Sequence, residues 1–366
     1  MLRDCLCAVV NADLTDSQWL QASMPVSKGG LGIRRTSQLA SSAFLASAVG
    51  TRQLQDAILL RCNTTGDTAA DCALSAWSEG HNIPPPLGTA AGSQSNWDNP
   101  IVELGYTHLL ESCANDVDKA RLLAVSAQRS SHWLHALPIA SCGLLLEDEA
   151  VRVAVGLRLG AKLCEPHTFS CGALVDATAI HCLSCRRSSG RVIRHHNLND
   201  IIWRALSKAG IPSVKEPLGL SRSDGKRPDG LTLIPWRNGK CAVWDVTVTD
   251  TLAASYVALT SSCPGRAAES AAARKLDKYR DLAGGYEVVP VAFETLGPVD
   301  QGGASFIDGI GNMIARVSGD PRESSFLWQR ISVALQRFSA VCFRNTFLEE
   351  MPHHNLTHGP CTPRWV

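Results

Sequence analysis

Long uninterrupted apolar runs are absent from the sequence, and their absence excludes the membrane-spanning classes first. No run approaches the roughly 20 residues that a spanning helix needs. The opening residues, MLRDCLCAVVNADL, lack the apolar core and cleavage site of a secretory signal. We therefore expect an intracellular chain in a reducing compartment, with no membrane partner.

Two further absences exclude nucleotide and polymerase chemistry. The glycine cluster Lys28-Gly29-Gly30-Leu31-Gly32 lacks the Lys-Ser/Thr ending of a phosphate-binding loop, so we interpret it as a connector between helices. The sequence also lacks a Tyr/Phe-x-Asp-Asp acidic pair, so we expect no DNA synthesis. Nothing in it requires an organic cofactor or a small-molecule substrate.

Charge is balanced over the whole chain but unevenly distributed. The 366 residues have a net charge of +1, whereas Arg152 to Lys240 contains fifteen Lys/Arg against six Asp/Glu, a local charge of +9. A basic region of this size favours a polyanionic partner. A solvated charged surface is the alternative interpretation.

The pattern of apolar residues predicts a mixed α+β or α/β protein. Helical periodicity covers the first part of the chain, and the order from Leu198 to Phe293 is α-β-β-β-α-β. The predicted regions are helical residues 1–62, a Gly/Pro/Ser-rich linker at 63–105, helical residues 106–163, a Cys/His segment at 164–196, the mixed region with C-terminal helices at 197–347 and a tail at 348–366.

Four Cys and His residues have a spacing that can enclose a zinc ion. Cys164, Cys171, His181 and Cys185 form C-x6-C-x9-H-x3-C, and thiolate and imidazole are the donors of structural zinc sites. The tight C-x2-C half of such sites is missing, so His167, Cys182 or His195 is an alternative ligand. A cysteine-rich loop without metal is the competing interpretation.

Arginines follow this segment directly. Arg186, Arg187, Arg191 and Arg194 form a predicted cationic rim that contacts phosphates. Next, Leu198 to Ala209 is predicted to be a helix that Asn199 caps and Gly210 ends.

Lys226 to Thr247 is predicted to be a β-hairpin with two carboxylates, and its turn decides where they lie. A two-residue loop of Asn238 and Gly239 puts Asp229 and Asp245 on opposite faces, because side chains alternate along a strand. A three-residue loop with Gly239 as a bulge residue puts both on one face, where two acids are costly unless paired or metal-bound. Alternatively, Asp229 is a turn residue and Asp245 a solvated strand end.

These features together resemble the C-terminal region of non-LTR retrotransposon proteins that carry a restriction-like endonuclease. The resemblance rests on Arg227-Pro228-Asp229, then fifteen residues to Asp245, on the preceding Cys/Cys/His/Cys knuckle and on the following Lys275-Leu276-Asp277-Lys278-Tyr279. WLQASMPVSKGGLGIR also resembles the thumb-like segment after the reverse transcriptase palm. The endonucleases belong to the PD-(D/E)xK fold, whose core has the element order predicted above.

The resemblance implies a role for each matching position. Asp229 and Asp245 are expected to hold Mg²⁺, with Asp200 as an additional acid or a helix cap and Glu216 as a weaker substitute. Thr247 stands at the family's lysine position, which is a departure. Lys275 or Lys278 is expected to replace that lysine, unless both are ordinary surface residues.

The implied activity is Mg²⁺-dependent cleavage of DNA in the nucleus. The zinc knuckle would be structural, and Lys226 and Arg227 would join the basic surface that contacts DNA or the RNA of the parent element. The alternative is a nucleic-acid-binding module whose nuclease site has decayed, and a third hypothesis is a structural or interaction protein.

Overall fold

Residues 1–58, 68–221, 225 and 227–347 are the part of the chain that this computed structural model describes, and within them the predicted mixed α+β class is confirmed. The helices are α1 Leu2–Val10, α2 Asp16–Ser23, α3 Thr36–Gly50, α4 Arg52–Ile58, α5 Thr68–His81, α6 Gln94–Glu111, α7 Asp116–Ser126, α8 Asp148–Leu159, α9 His181–Ser184, α10 Ser189–Lys208, α11 Val257–Thr260, α12 Arg266–Lys278, α13 Gln301–Ser318 and α14 Glu323–Arg344. The strands are β1 His167–Thr168, β2 Leu174–Val175, β3 Ser213–Lys215, β4 Gly230–Arg237, β5 Lys240–Thr249 and β6 Glu287–Glu294.

Across those described residues, no helix is both long and apolar enough to cross a membrane.

Helix boundaries follow local chemistry: α2 begins after Thr15, which exchanges capping hydrogen bonds with Gln18.

The predicted linker at residues 63–105 is wrong for its described part. Helices α5 and α6 occupy most of it and pack against α3. Trp77 and Trp97 are almost fully buried there, with their rings edge to face at 5.1 Å between centroids. The Gly, Pro and Ser content predicted exposure, but two buried aromatic rings supply enough apolar surface for a small core.

The main sheet has four strands in the order β3-β4-β5-β6. Strands β3, β4 and β5 are antiparallel neighbours, whereas β6 returns through α12 to run parallel to β5. The α-β-β-β-α-β order is therefore present from α10 to β6, with the one-turn helix α11 added before α12. Because β4 and β5 lie inside the sheet, both strands have a neighbour on each side.

The two faces of the sheet are covered differently. Ala242, Trp244 and Val246 pack with helices α10, α13 and α14 in the largest core. Alternate residues point the other way, where a row of alanines on α12 contacts Ala292 of β6. The small alanine side chains let α12 approach the sheet closely, which brings its last turn near β5.

Helix α10 begins earlier than predicted. It starts at Ser189 instead of Leu198, so it crosses the predicted boundary at residue 196, and Asn199 lies inside it. Asn199 is buried and accepts a hydrogen bond from Trp244 Nε1 at 2.8 Å. The predicted capping role of Asn199 is wrong, and its side chain instead fixes α10 against the sheet.

Candidate active site and metal-binding cluster

Asp229 and Asp245 converge because strand β4 contains more residues than the matching part of β5. The turn is the two-residue loop, one of the two alternatives that the sequence left open, with Arg237 paired to Lys240 and positive φ at Asn238 and Gly239. The pairing then shifts twice, to Pro235↔Cys241 and to Leu231↔Val243. These shifts overturn the expectation that a two-residue loop places the carboxylates on opposite faces.

Two residues explain the shifts. Pro235 has no N–H to donate, so it disrupts the ladder. Thr232 Oγ1 accepts the Ala242 N–H at 2.9 Å and donates to the Ile234 carbonyl at 2.9 Å, which replaces a backbone pairing with a side chain. Beyond them Gly230 pairs with Trp244, and one more step along this register puts Asp229 opposite Asp245.

Asp229 is held by its neighbours on several sides. Its Oδ2 accepts the Val246 N–H at 2.6 Å and lies 3.0 Å from His195 Nε2. Its carbonyl accepts the Glu216 N–H at 2.9 Å. Gly230 is required beside it, because an added Cβ would lie 1.9 Å from the Trp244 ring.

The two candidate lysines contact the other carboxylate. Lys275 Nζ lies 2.6 Å from Asp245 Oδ1, and Lys278 Nζ lies 3.6 Å from Oδ2. The Asp245 side chain is only 6% exposed, so these contacts matter more than surface ion pairs do. Lys275 and Lys278 are therefore not ordinary surface residues.

Tyr279 joins the lysine helix to the loop before Asp229. Its buried ring follows α12 directly, its hydroxyl donates to the Arg227 carbonyl at 3.0 Å and Lys278 Nζ donates to it at 2.5 Å. The end of α12 is thereby tied to the segment that carries the first carboxylate.

His195 is the site residue that the sequence-based assignment missed. One ring nitrogen of His195, one Asp229 oxygen and one Asp245 oxygen all lie within 4.8 Å of one another. The hydrogen bond to Asp229 raises the pKa of His195, and burial opposes this effect. Because α10 starts at Ser189, His195 lies one turn before Asn199 on the same face of the helix. A sequence-based helix that started there would have predicted that His195 faces the sheet.

Asp200 does not join the site. It forms ion pairs with Arg204 at 2.6 Å and Lys215 at 3.2 Å, away from the other carboxylates. Glu216 pairs with Arg227. Neither acid contributes to the group of His195, Asp229 and Asp245.

The predicted zinc ligands form a cluster of three. Cys171 lies between β1 and β2, His181 begins α9, and Cys185 follows that helix; their donor atoms lie within 4.8 Å of one another. Cys171 Sγ is 3.2 Å from His181 Nε2. A hydrogen bond from the backbone of Ala173 lowers the pKa of Cys171, which favours its thiolate.

Cys164 stands outside this cluster. Its Sγ contacts the carbonyl oxygens of Asp176 at 3.5 Å and Ala177 at 4.0 Å, and burial raises its pKa. His167 also points elsewhere, since its Nε2 contacts Thr346 Oγ1 at 2.9 Å. The two sulfurs and one imidazole that do converge are donors that fit zinc.

The predicted basic rim is only partly at the surface. Arg186 and Arg187 are exposed and Arg191 is half-buried, but Arg194 is 1% exposed and donates to the Leu183 carbonyl at 3.1 Å. Arg194 therefore cannot contact a phosphate. Lys226 lies outside the described residues, and Arg227 is half-buried beside Glu216.

A scan against protein-family models gave no match to the chain, and a search of curated proteins found no similar sequence.

Proposed function

We propose that this chain is a metal-dependent endonuclease that hydrolyses a phosphodiester bond of DNA. The observation that carries the proposal is the meeting of Asp229 and Asp245 with Lys275 and Lys278 at one end of an otherwise apolar pair of strands. Carboxylates and lysines gathered at one buried place are typical of active sites, and this arrangement supports the proposal.

The donor set fits a hard divalent cation. Carboxylate oxygens are the protein ligands that Mg²⁺ prefers, and Asp229 and Asp245 would hold it. When bound, the metal would polarise the scissile phosphate, lower the pKa of an attacking water and neutralise the leaving oxygen. Lys275 and Lys278 would stabilise the negative charge that develops on the phosphate, because their ammonium groups already lie against Asp245.

The element order supports the assignment to the PD-(D/E)xK fold. A helix, a three-stranded meander, a helix and a parallel fourth strand occur in this order, and both carboxylates lie on the second and third strands or next to them. Thr247, at the family's lysine position, is half-buried. We infer that the α12 lysines take over its role from the facing helix.

The cysteine cluster would position the duplex. Cys171, His181 and Cys185 would hold Zn²⁺ as three protein ligands, which leaves the fourth tetrahedral position to a ligand outside this group. The exposed Arg186 and Arg187 follow Cys185 immediately. Guanidinium groups at this place would bind phosphates of the duplex.

Nicking of supercoiled plasmid with Mg²⁺ tests the proposal. We expect Asp229→Asn and Asp245→Asn to lower the rate by at least about a hundredfold, as for loss of a group that stabilises the transition state. Asp200→Asn is the matched control, because it removes a carboxylate that lies outside the site, and it should keep nearly full activity. Equal rates in all four proteins would reject this site.

One observation favours a second function, binding without cleavage. Asp245 is already neutralised by Lys275 at 2.6 Å, and the family's own lysine position holds threonine. A protein that binds DNA with a steep salt dependence but leaves the plasmid intact would support this alternative, because phosphate contacts release counterions.

A further inference from the structure

His195 contacts the proposed nuclease site but has no part in the carboxylate and lysine chemistry described above. Its Nε2 lies 3.0 Å from Asp229 Oδ2, and a ring nitrogen of His195 belongs to the same group of donor atoms as an Asp245 oxygen. Its side chain is 32% exposed, whereas Asp229 is 14% and Asp245 6% exposed. The imidazole therefore stands at the open side of the carboxylate pair.

The helix holds His195 in this position. The preceding residue, Arg194, is buried and anchored to the Leu183 carbonyl. One turn later, Asn199 accepts the hydrogen bond of Trp244 Nε1 at 2.8 Å and approaches the Asp229 carbonyl at 3.4 Å. Both neighbours prevent α10 from rotating, so His195 faces Asp229 because of the fold and not because of one flexible contact.

The spacing of the donor atoms fits a single metal ion. Two adjacent ligands of an octahedral ion, each about 2.1 Å from the metal, lie about 3.0 Å apart. His195 Nε2 and Asp229 Oδ2 have this separation, and the whole group spans no more than 4.8 Å. Asp229 Oδ2 is also fixed by the Val246 N–H at 2.6 Å, so it need not move to accept an ion.

We propose that His195 Nε2 is the third protein ligand of this site and that the site consequently binds Mn²⁺ in preference to Mg²⁺. Mg²⁺ favours oxygen donors, whereas Mn²⁺ accepts carboxylates and also gains from imidazole. Binding releases the Nε2 proton of His195 to solvent and replaces its hydrogen bond to Asp229. The inference rests on the proposed function, since it specifies the metal of the same site.

Pulsed electron paramagnetic resonance of bound Mn²⁺ tests the ligand directly, because it detects a coordinated nitrogen. The full-length protein would receive one equivalent of Mn²⁺, beside the variants His195→Asn, His196→Asn and Asp245→Asn. His196 is the matched control, since it is the exposed next residue on the same helix. Asp245→Asn shows whether the detected nitrogen belongs to this site and not to the cysteine cluster.

We expect the nitrogen signal in the wild type and in His196→Asn, and its loss in His195→Asn. His195→Asn should also weaken Mn²⁺ affinity by at least about tenfold, as substitutions around metal ligands do. Displacing half of the Mn²⁺ from the wild type should require at least a tenfold excess of Mg²⁺, and less in His195→Asn.

Unchanged nitrogen signal and Mn²⁺ affinity in His195→Asn would overturn the inference, as would displacement by an equal concentration of Mg²⁺. If such a protein still nicks DNA with Mg²⁺ and needs Asp229 and Asp245 to do so, His195 is not a metal ligand but the proposed endonuclease function stands. Mn²⁺ coordinated by His195 in a protein that never nicks DNA would support the ligand and reject the endonuclease.

Discussion

The cysteine cluster and the carboxylate cluster differ in their donors and in their separation along the chain. Cys171, His181 and Cys185 offer two sulfurs and one imidazole from a segment of fifteen residues. His195, Asp229 and Asp245 offer one imidazole and two carboxylates, and the associated lysines lie thirty or more residues further on. The cysteine cluster has soft ligand atoms from one short segment. The carboxylate cluster has harder ligand atoms that tertiary structure brings together from distant segments.

The difference shows how each cluster depends on its surroundings. Two short strands and one helical turn complete the cysteine group, so a bound metal would itself stabilise that segment. The carboxylate group needs a long helix, a bulged hairpin and a crossover helix to be in place first. We expect damage to the first cluster to appear mainly as lost stability, and damage to the second mainly as lost activity.

Removing a cysteine ligand should have the largest effect on stability. If the proposed zinc is bound, we expect Cys185→Ser to lose it together with several kcal/mol of unfolding free energy, because the free energy of binding such a metal is also folding free energy. Cys164→Ser is the matched control: its sulfur lies outside the cluster, so zinc should remain. Zinc content measured after dialysis checks both variants, and loss of zinc in Cys164→Ser would contradict the three-residue cluster.

Arg194 connects the two clusters, and its removal should be the next most damaging change. Arg194 is 1% exposed and donates to the Leu183 carbonyl at 3.1 Å, so removing the arginine leaves this oxygen without its donor. We expect Arg194→Met to cost roughly 1–3 kcal/mol, as for a buried polar group that loses its hydrogen-bond partner. Urea unfolding measures this, beside Arg186→Met at an exposed position. If Arg194→Met binds DNA more weakly but is as stable as the wild type, the predicted contact of Arg194 with phosphate would be supported instead.

Thr232 tests whether the strand irregularity creates the carboxylate site. Thr232→Val keeps the shape but leaves the buried Ala242 N–H without its acceptor, which we expect to cost roughly 1–3 kcal/mol. The nicking rate should fall by more than the loss of folded protein explains, because Asp229 would no longer lie opposite Asp245. Thr249→Val removes only a 3.4 Å hydrogen bond and should change little. Urea unfolding and plasmid nicking would compare the two variants. Equal nicking rates would show that the carboxylate site does not depend on the irregular pairing of β4 with β5.

The contact between His195 and Asp229 should have the smallest effect on stability, and that effect depends on pH. Because the folded pKa of His195 is raised above the unfolded value near 6.5, its contribution is complete below that pH and disappears as the pH rises through the folded pKa. Asp229→Asn should therefore cost up to about 1 kcal/mol more at pH 5.5 than at pH 8.5.

Two measurements check this. Urea unfolding at both pH values gives the difference in stability, and the nuclear magnetic resonance titration of His195 should shift to lower pH in Asp229→Asn. His132, whose pKa is lowered mainly by burial, should titrate as in the wild type. An unchanged His195 titration would refute the contact.

Errors in the sequence-based predictions have physical reasons. Asp200 was assigned to the site because its helix precedes the first strand, but its side chain pairs with Arg204, one turn later on the same helix. His195 was considered only as an alternative zinc ligand, since the predicted helix began after it. Trp77 and Trp97 lay in a segment whose composition favoured a linker, and only their packing against each other shows a core.

Local chemistry determined the order of the main helices and strands from α10 to β6, the place of the turn at Asn238-Gly239 and three of the four proposed cysteine-cluster residues, because each depends mainly on nearby residues in the chain. Tertiary structure alone decided that Asp229 meets Asp245 and that His195 joins them. The Thr232 side chain and Pro235 within β4 shift the pairing between β4 and β5. The buried Arg194 and Asn199 set the rotation of α10 about its axis. Such effects require contacts between distant segments, which a sequence pattern does not contain.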